Sequence, residues 1–445
     1  MDFDLHAARI EKLLKARALD GYEIMLGASR NLSIEVREQK VDTFKCSEPV
    51  GVGIRVLKDG GMGFSFSTSM DDKDLERMVA NAVTGAEFQT KDACNCLPGP
   101  AAYPQLSGLA DEKLAGVGEE EKISRVIELE RLTLAEDPRM KKVRKSSYGE
   151  SRYEVLIRNS RGVEGNYSGT SVSCSVSAVA EEDGDSQMGW DFGFSNYFDK
   201  IDVAVIAKNA AAKASGMLGA RAMATMKCPV ILDNYVAAEV LEVLASSFLA
   251  ENVQKGKSIL AGRKGARLFA QDMIIVDDGL LAGGMATTPF DGEGVPGQRT
   301  VLVEDGAVQG FLYNSYCACK DGVASTGNAV RGGVKGLPRM GVTNFFIENG
   351  VTPTADLAKG VETGVLLTSV MGMHTANPVS GDFSVGAAGY FIENGMVAYP
   401  VKGIVISGNI LDLFHDVSGV GNDLRFFGGV GSPSLRIEGL DVSGK

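Results

Sequence analysis

Histidine and cysteine, the usual ligands of catalytic zinc, are thinly spread in this chain of 445 residues. The candidates are His6, His374 and His415, the pair Cys94 and Cys96, and the pair Cys317 and Cys319. Catalytic zinc usually takes three protein ligands and leaves one position open for water. No two histidines are one helical turn apart, so an all-histidine site would need all three, from distant segments. The cysteine pairs are too sparse for zinc-knuckle spacing, and we interpret them as ordinary reduced thiols.

Four acidic residues, Asp277, Asp278, Asp291 and Glu293, could together hold a hard cation. They lie in Asp-Asp-Gly and Asp-Gly-Glu-Gly contexts, which are typical of turns. We therefore favour a turn-forming role for them over a metal site.

A covalent mechanism needs a nucleophile with a base and an orienting group within reach. No Gly-x-Ser-x-Gly elbow follows a strand and opens a helix. His374, in Gly372-Met-His-Thr-Ala-Asn-Pro, is the best isolated candidate for a base, because a glycine loop could present it to a cleft. A lone loop histidine is more often structural or simply exposed, and we favour that interpretation.

The elements that must position such groups divide the chain in two. Apolar spacing predicts helices near 4–18, 71–88, 118–135, 199–216 and 236–250, with alternating segments between them that indicate strands. We predict an α+β fold with an N-terminal α+β domain over 1–224, which contains a possible internal duplication. A C-terminal domain over 225–445 is predicted to be largely antiparallel β, barrel-like or a curved sheet, with one main helix.

Charge and composition exclude several classes of function. The formal net charge is −12, and the densest basic stretch (Lys141 to Lys145) is short, so we expect no direct binding of nucleic acid. No signal peptide and no run of about 18 apolar residues is present, so we expect no membrane association. The odd count of seven cysteines implies no disulfide framework, and a cytoplasmic location is predicted.

A series of motifs in the second half is specific as a set. They are Val276-Asp-Asp-Gly, Asp291-Gly-Glu-Gly-Val-Pro-Gly-Gln, Thr326-Gly-Asn, Pro338-Arg-Met and Gly381-Asp-Phe-Ser-Val-Gly-Ala-Ala-Gly-Tyr-Phe-Ile-Glu-Asn-Gly. Together, and in this order, they resemble the TldD/TldE (PmbA) family, whose older association is with modulation of DNA gyrase. An acidic chain without a basic stripe makes any such link look indirect.

The resemblance implies a two-domain fold and a dimer of a zinc-bearing and a zinc-free subunit, which hydrolyses unfolded or flexible peptides in an enclosed cavity. The zinc-bearing subunit carries His-Glu-x-x-x-His in a helix and a cysteine near its C-terminus. Here Glu242 stands at the first histidine position, Val243 at the general-base position and Ser247 at the second histidine position. The C-terminal stretch that follows Asn422 has no cysteine. The chain therefore resembles the zinc-free TldE/PmbA subunit, with no metal and no cofactor of its own.

The residue pattern of that helix is consistent with a subunit that binds no zinc. Val236, Val240, Leu244 and Phe248 give it an apolar face at a spacing of four, which is typical of a packing helix. A valine cannot take a proton from a metal-bound water.

The partners implied are a TldD-like zinc subunit, or a second copy of the chain, and an unfolded peptide. An extended peptide could add to an exposed strand edge, and His374, Asp382, Ile392 and Val405 are candidates for contacting it. Two alternatives stay open. One is a self-sufficient hydrolase that uses His374 or the acidic residues at 277–293, and the other is a non-catalytic peptide-binding homodimer.

Overall fold

A seven-stranded antiparallel sheet organises the first half of the computed structural model, which describes residues 2–444. Its elements are α1 (Phe3–Lys15), β1 (Gly21–Arg37), β2 (Lys40–Ser47), β3 (Val50–Lys58), β4 (Gly61–Ser67), α2 (Asp72–Phe88), α3 (Glu119–Ala135), β5 (Met140–Asn159), β6 (Glu164–Glu182), β7 (Asp185–Ser195) and α4 (Val203–Ser215). The strand order is β4-β3-β1-β5-β6-β7, and β2 pairs with the far end of β1. Helices α1 and α2 pack on the first strands, whereas α3 and α4 pack on β5, β6 and β7.

The two parts of this sheet repeat one plan, as the possible duplication predicts. Each runs from a helix through a long central strand and outer strands to a second helix, and the central strands β1 and β5 pair with each other. Gly63 on β4 and Gly189 on β7 occupy matching places. A Cβ atom on Gly63 would lie 1.8 Å from the carbonyl oxygen of Ala82 on α2, and one on Gly189 would lie 2.2 Å from that of Ala210 on α4. Glycine at both positions lets α2 approach β4 and α4 approach β7 closely.

A closed five-stranded barrel forms the body of the second half. Its elements are β8 (Met226–Leu232), α5 (Asn234–Ala245), α6 (Ala250–Gln254), β9 (Ile275–Asp278), β10 (Arg299–Glu304), β11 (Ala307–Val308), α7 (Ser315–Asp321), β12 (Ala329–Val330), β13 (Arg339–Met340), β14 (Phe345–Ile347), β15 (Thr363–Met371), β16 (Asp382–Glu393), β17 (Met396–Asn409), α8 (Ile410–His415), β18 (Val417–Val420), β19 (Arg425–Phe427), β20 (Val430–Ser432) and β21 (Leu435–Ser443). The barrel order is β17-β16-β15-β8-β21, and it closes because β17 also pairs with β21. A separate sheet has the order β11-β10-β9-β14-β20-β19. The predicted α+β class and the barrel-like second half are confirmed.

Helix α5 lies in the main core of the second half, with Val236, Val240 and Leu244 fully covered. Its N-cap is Asp233, whose side chain accepts a hydrogen bond of 2.8 Å from the main-chain N–H of Val236. The sequence predicts one helix from 236 to 250, and that prediction is wrong at its C-terminal end.

The regular part of α5 stops at Ala245, and a 3-10 turn over Ser246–Phe248 follows before α6. Side chains donate hydrogen bonds to the main-chain carbonyl groups of this turn. Asn252 Nδ2 donates to the oxygen of Ser246 at 2.7 Å, and Ser258 Oγ donates to that of Ser247 at 2.6 Å. These bonds replace the main-chain donors that a continuing helix would supply.

Candidate functional site

The outward face of α5 carries polar side chains, in contrast to its apolar inner face. Tyr235 and Glu239 are half-buried on this face, and Glu242 is exposed. Although the side chain of Glu242 is exposed, neighbouring protein atoms displace part of its hydration and raise its pKa, and the charge of Glu239 adds to the effect. Burial likewise raises the pKa of Tyr235 to about 12, with Glu239 again contributing. The face therefore offers two carboxylates and a phenol that remains protonated at neutral pH.

The three positions singled out in the helix have different surroundings. Glu242 points toward solvent, whereas Val243 is half-buried and packs against the main core. Ser247 is buried, and its hydroxyl donates to the carbonyl oxygen of Pro378 over 3.4 Å. Together the three positions present one carboxylate, one alkyl group and one hydroxyl that already has an acceptor.

Four aromatic side chains form a wall beside this face, hereafter the aromatic wall: Trp190, Phe192, Tyr235 and Phe427. Trp190 and Tyr235 meet edge to face with ring centroids 5.3 Å apart, and Tyr235 meets Phe427 at 5.2 Å. Phe192 lies 6.0 Å from Trp190 and 5.9 Å from Phe427. Such separations are typical of favourable aromatic pairs. Because Trp190 is 37% exposed, the wall presents a ring to solvent.

Charged side chains next to the aromatic wall hold it in place. Asp191, which is 1% exposed, accepts hydrogen bonds from Arg425 Nη2 at 2.8 Å, Lys213 Nζ at 3.1 Å and Asn209 Nδ2 at 2.9 Å. The guanidinium carbon of Arg425 also lies 5.5 Å from the ring centroid of Phe192 and 5.2 Å from that of Phe427, within cation–π range. These contacts join β7 of the first half to β19 of the second, so the wall is assembled before any ligand arrives.

Strand β7, which carries Trp190, is an edge of its sheet. It pairs with β6 on one side, and no strand within residues 2–444 pairs with its other side. Arg425 Nη2 donates to the main-chain oxygen of Phe192. Met188 and Trp190, which precede Phe192 in β7, are exposed. An unpaired edge next to exposed apolar side chains is a suitable template for an extended peptide.

Two carboxylates lie close together at the start of α5. Burial raises the pKa of Asp233 to about 6, and the negative charge of Asp423 acts in the same direction. Asp423 is held by Ser434, which donates through its main-chain N–H at 2.9 Å and its hydroxyl at 2.7 Å. The positive charge of Lys213 lowers the pKa of Asp233 and so opposes the effects of burial and of Asp423. This end of the site therefore favours positive charge.

His374 belongs to a short turn beside α5. It is exposed, in a 3-10 turn over Met373–Thr375 that contacts the helix. Asp382 is also exposed, but it accepts hydrogen bonds from Ser380 Oγ at 2.8 Å and Asn409 Nδ2 at 3.0 Å. Those bonds, that of Asn409 first, lower the pKa of Asp382. Asp382 thus stabilises the loop through Ser380 and its contact with Asn409. The turn with His374 is the one that contacts α5.

The other two predicted peptide-contacting residues lie in the barrel. Ile392 is fully buried, and its main chain pairs with Gly364 on one side and with Val397 on the other. Val405 is 40% exposed, yet its main chain is also paired on both sides. Neither residue lies on a free strand edge, because β16 and β17 are interior strands of a closed barrel. A role for these residues in peptide binding stays a prediction.

The four acidic residues of the second half all have hydrogen-bond partners. Asp277 accepts from Asn328 Nδ2 at 2.7 Å and from Thr343 N at 2.7 Å, and Asp291 accepts from the main-chain N–H groups of Glu293 and Val295, each at 2.9 Å. Asp291, and Asp278, which accepts from Leu280 N at 2.9 Å, have the turn-forming role that their sequence context favours. Asp277 lies in strand β9, and Glu293 pairs with Arg55 of the first half, so these two contact residues distant in sequence. Across residues 2–444 no three His, Cys, Asp or Glu side chains are grouped so as to hold a metal ion. Over the same range no helix is long and apolar enough to cross a membrane.

The aromatic wall was missed by sequence reasoning. Residues 188–192 lie in one of the alternating segments that indicate strands, and residues 425–427 lie in the C-terminal stretch that has no cysteine. No local pattern links residues 190, 235 and 427, because packing between the two halves brings them together. The one available signal was an apolar, aromatic segment at a strand that could lie at a sheet edge.

Comparison with known proteins places this architecture among related chains. Three family models match in order: the PmbA/TldA metallopeptidase domain 1 over residues 22–86, the central domain over 112–218 and the C-terminal domain over 225–444. An uncharacterised protein of Methanocaldococcus jannaschii is 30% identical and aligns over 97% of this chain and 99% of its own length. The metalloprotease PmbA of Escherichia coli O157:H7 is 27% identical, over 96% of this chain and 93% of its own. A metalloprotease TldD homologue of Haemophilus influenzae is 28% identical, over 88% and 86%.

Solved structures agree with this result. A Thermotoga maritima protein described as a candidate modulator of a DNA gyrase superposes with a TM-score of 0.91 at 27% identity, and the match covers 99% of this chain and 100% of that one. TldE from Thermococcus kodakarensis superposes with a TM-score of 0.89 at 23% identity, with 99% of each chain covered. The second likeness concerns the fold.

Proposed function

The chain belongs to the PmbA/TldD family of metallopeptidases, and we propose that it is a TldE/PmbA-like subunit that binds flexible peptides for a zinc-bearing TldD-like partner. In this role the chain contributes a wall of the cavity and part of the peptide-binding surface. The partner contributes the metal and the hydrolytic water.

The residues at three positions in α5 and the turn that follows it carry this proposal. At the positions where the zinc-bearing subunit has two histidines and a general base, this chain has Glu242, Ser247 and Val243. Zinc usually takes three protein ligands at a catalytic site, and a hydroxyl is a poor ligand for it. Val243 has no proton acceptor, so the position of the general base supplies no base here.

The aromatic wall and the free edge of β7 support the peptide-binding part of the proposal. Pairing along an edge strand uses main-chain hydrogen bonds, which tolerate many sequences. Trp190 can pack against an apolar or aromatic side chain of the peptide, and Glu239, Glu242 and Asp233 favour a basic one. We therefore expect flexible peptides with aromatic and basic residues to bind best.

The self-sufficient hydrolase is less well supported. The acidic residues at 277–293 are engaged by main-chain donors, amides and Arg55. Within residues 2–444, no side chain forms a hydrogen bond with the ring of His374 that would orient it as a base. The peptide-binding homodimer differs from the leading proposal only in its partner.

The test combines metal analysis with reconstitution. The purified chain alone, and the chain mixed with a zinc-site homologue from the same source, are incubated with an unstructured peptide, and zinc content and cleavage are measured. We expect sub-stoichiometric zinc and no cleavage for the chain alone, and cleavage with the homologue. About one tightly bound zinc per chain, or cleavage by the chain alone that is lost in His374→Ala, would overturn the proposal. Peptide binding without association with the homologue would favour the homodimer.

A further inference from the structure

Two cysteines that are 225 positions apart in sequence meet on the surface between the two halves. Cys94 follows α2, Cys319 lies on α7, and their Sγ atoms are 2.6 Å apart. Cys319 is exposed and Cys94 is half-buried, so small reagents can reach the pair. We propose that Cys94 and Cys319 form a reversible disulfide that ties the segment 89–96 to α7.

Contacts around the pair hold the segment 89–96 against α7. Tyr316 OH on α7 donates to Asp92 Oδ2 at 2.7 Å, and Lys320 Nζ lies 3.9 Å from the same oxygen. Cys96 Sγ donates to the carbonyl oxygen of Ser315 at 3.6 Å. The segment thus contacts α7 on both sides of Cys94. A disulfide requires the two cysteines to lie close together, and these contacts keep their Sγ atoms near each other without the covalent bond.

The pairing is selective among the seven cysteines. Cys317 is buried on α7, and Cys96 faces the main chain of Ser315, so the other cysteine of each Cys-x-Cys motif is directed elsewhere. Cys174 and Cys228 are buried, in the cores of the first and second halves respectively. Cys46, on β2, is exposed. Among the cysteines of residues 2–444, only Cys94 and Cys319 lie within bonding reach of each other.

The step balances with a small-molecule disulfide such as oxidised glutathione as the oxidant. The thiolate of one cysteine attacks the glutathione disulfide, a mixed disulfide forms and one glutathione thiolate leaves. The second cysteine then attacks the protein sulfur of the mixed disulfide, so that the Cys94–Cys319 bond forms and a second glutathione leaves. Two protein thiols and one oxidised glutathione give one protein disulfide and two reduced glutathione molecules.

Cross-linking has a structural consequence because the segment forms a wall of a large cavity. A cavity of about 940 Å³ lies between the halves and is lined by Gln89, Thr90, Asn95 and Cys96 of the segment, together with Tyr316 and Cys317 of α7. In the reduced chain, hydrogen bonds alone hold this wall. In the oxidised chain a covalent bond holds it, so the amides of 89–96 exchange more slowly with solvent.

The first test treats the purified full chain with oxidised glutathione, alkylates the remaining thiols and maps peptides by mass spectrometry without reduction. We expect one linked peptide pair that joins Cys94 to Cys319, lost on reduction and lost in Cys94→Ser and in Cys319→Ser. The matched control Cys46→Ser, which removes an exposed thiol elsewhere, keeps the link. If no linked pair forms, or if another pair of cysteines dominates, the proposal is wrong.

The second test measures hydrogen exchange of residues 89–96 in the oxidised and the reduced chain. We expect at least severalfold slower exchange in the oxidised wild type and no difference between the two conditions in Cys319→Ser. Equal exchange in the two states of the wild type would show that the bond does not tie the segment and would overturn that part of the proposal. Circular dichroism of each variant establishes that it is folded.

Discussion

Arg55 on β3 and Glu293 in the second half form a buried ion pair, with 2.8 Å between Nη1 and Oε1. The same guanidinium donates to Glu23 Oε2 on β1 at 2.6 Å, and Arg331 contacts the other oxygen of Glu23. Two arginines and two glutamates thus neutralise one another at the junction of the halves. Burial of charge is tolerated there because every charged group has a partner.

We predict that Arg55→Met strongly destabilises the chain, because it leaves Glu293 buried without its cationic partner. The expected loss is about 3–5 kcal/mol in the free energy of unfolding, measured by urea denaturation. Arg299→Met, which removes a partly exposed ion pair with Glu348, is the matched control with an expected loss below about 1 kcal/mol. Equal losses in the two variants would contradict the assigned role of Arg55.

The repeated glycines should respond alike to substitution. Gly63→Ala and Gly189→Ala each place a methyl group against helix backbone, and such overpacking typically costs about 1–3 kcal/mol. Gly116→Ala, which meets no atom within 4 Å, should change the free energy of unfolding by less than about 0.5 kcal/mol. Thermal and urea unfolding of the three variants compare these effects, and a neutral Gly189→Ala would argue against close packing of α4 on β7.

Trp190→Ala should weaken binding of a flexible aromatic and basic peptide about tenfold, equivalent to about 1.4 kcal/mol, because it removes the exposed ring of the wall. Isothermal calorimetry compares it with Phe88→Ala, which removes an exposed aromatic side chain from α2 and should leave the affinity unchanged. The chain has a single tryptophan, so its fluorescence also reports directly on binding in the wild type. An unchanged affinity in Trp190→Ala would place the peptide elsewhere.

The raised pKa of Asp233, about 6, predicts a pH dependence of stability. Its carboxyl group is easier to protonate in the folded chain than in the unfolded one, where the pKa is about 3.9. The stabilisation from protonation is therefore full below about pH 4 and is lost as the pH rises through about 6. Asp233→Asn keeps the helix cap and removes the titration. Between pH 4 and 7 we expect the free energy of unfolding to fall more in the wild type than in the variant, and parallel profiles would contradict this assignment.

Patterns within single elements made much of the fold predictable. The spacing of Val236, Val240 and Leu244 indicated the inner face of α5, and the recurring order of helices and alternating segments indicated the repeat in the first sheet. The end of α5 was not predictable, because side chains of Asn252 and Ser258 determine it from beyond the helix.

The site was less accessible to sequence reasoning. Ile392 was a reasonable candidate from its strand pattern, but no pattern states whether a strand is paired on one side or on both. Trp190 and Phe427 come together through contacts between the halves, as do Cys94 and Cys319. Such long-range proximity depends on the tertiary fold and leaves no periodic signal in the sequence.

The closure of the barrel constrains how the protein can be made. Strand β8 lies between β15 and β21, whose residues follow it by more than a hundred positions, and β21 also completes the ring by pairing with β17. The first sheet uses only residues up to 195 and can form while translation continues. The barrel cannot close until residues 435–443 have left the ribosome, so β8 and the apolar side of α5 await their partners in the nascent chain, where chaperones can act on them.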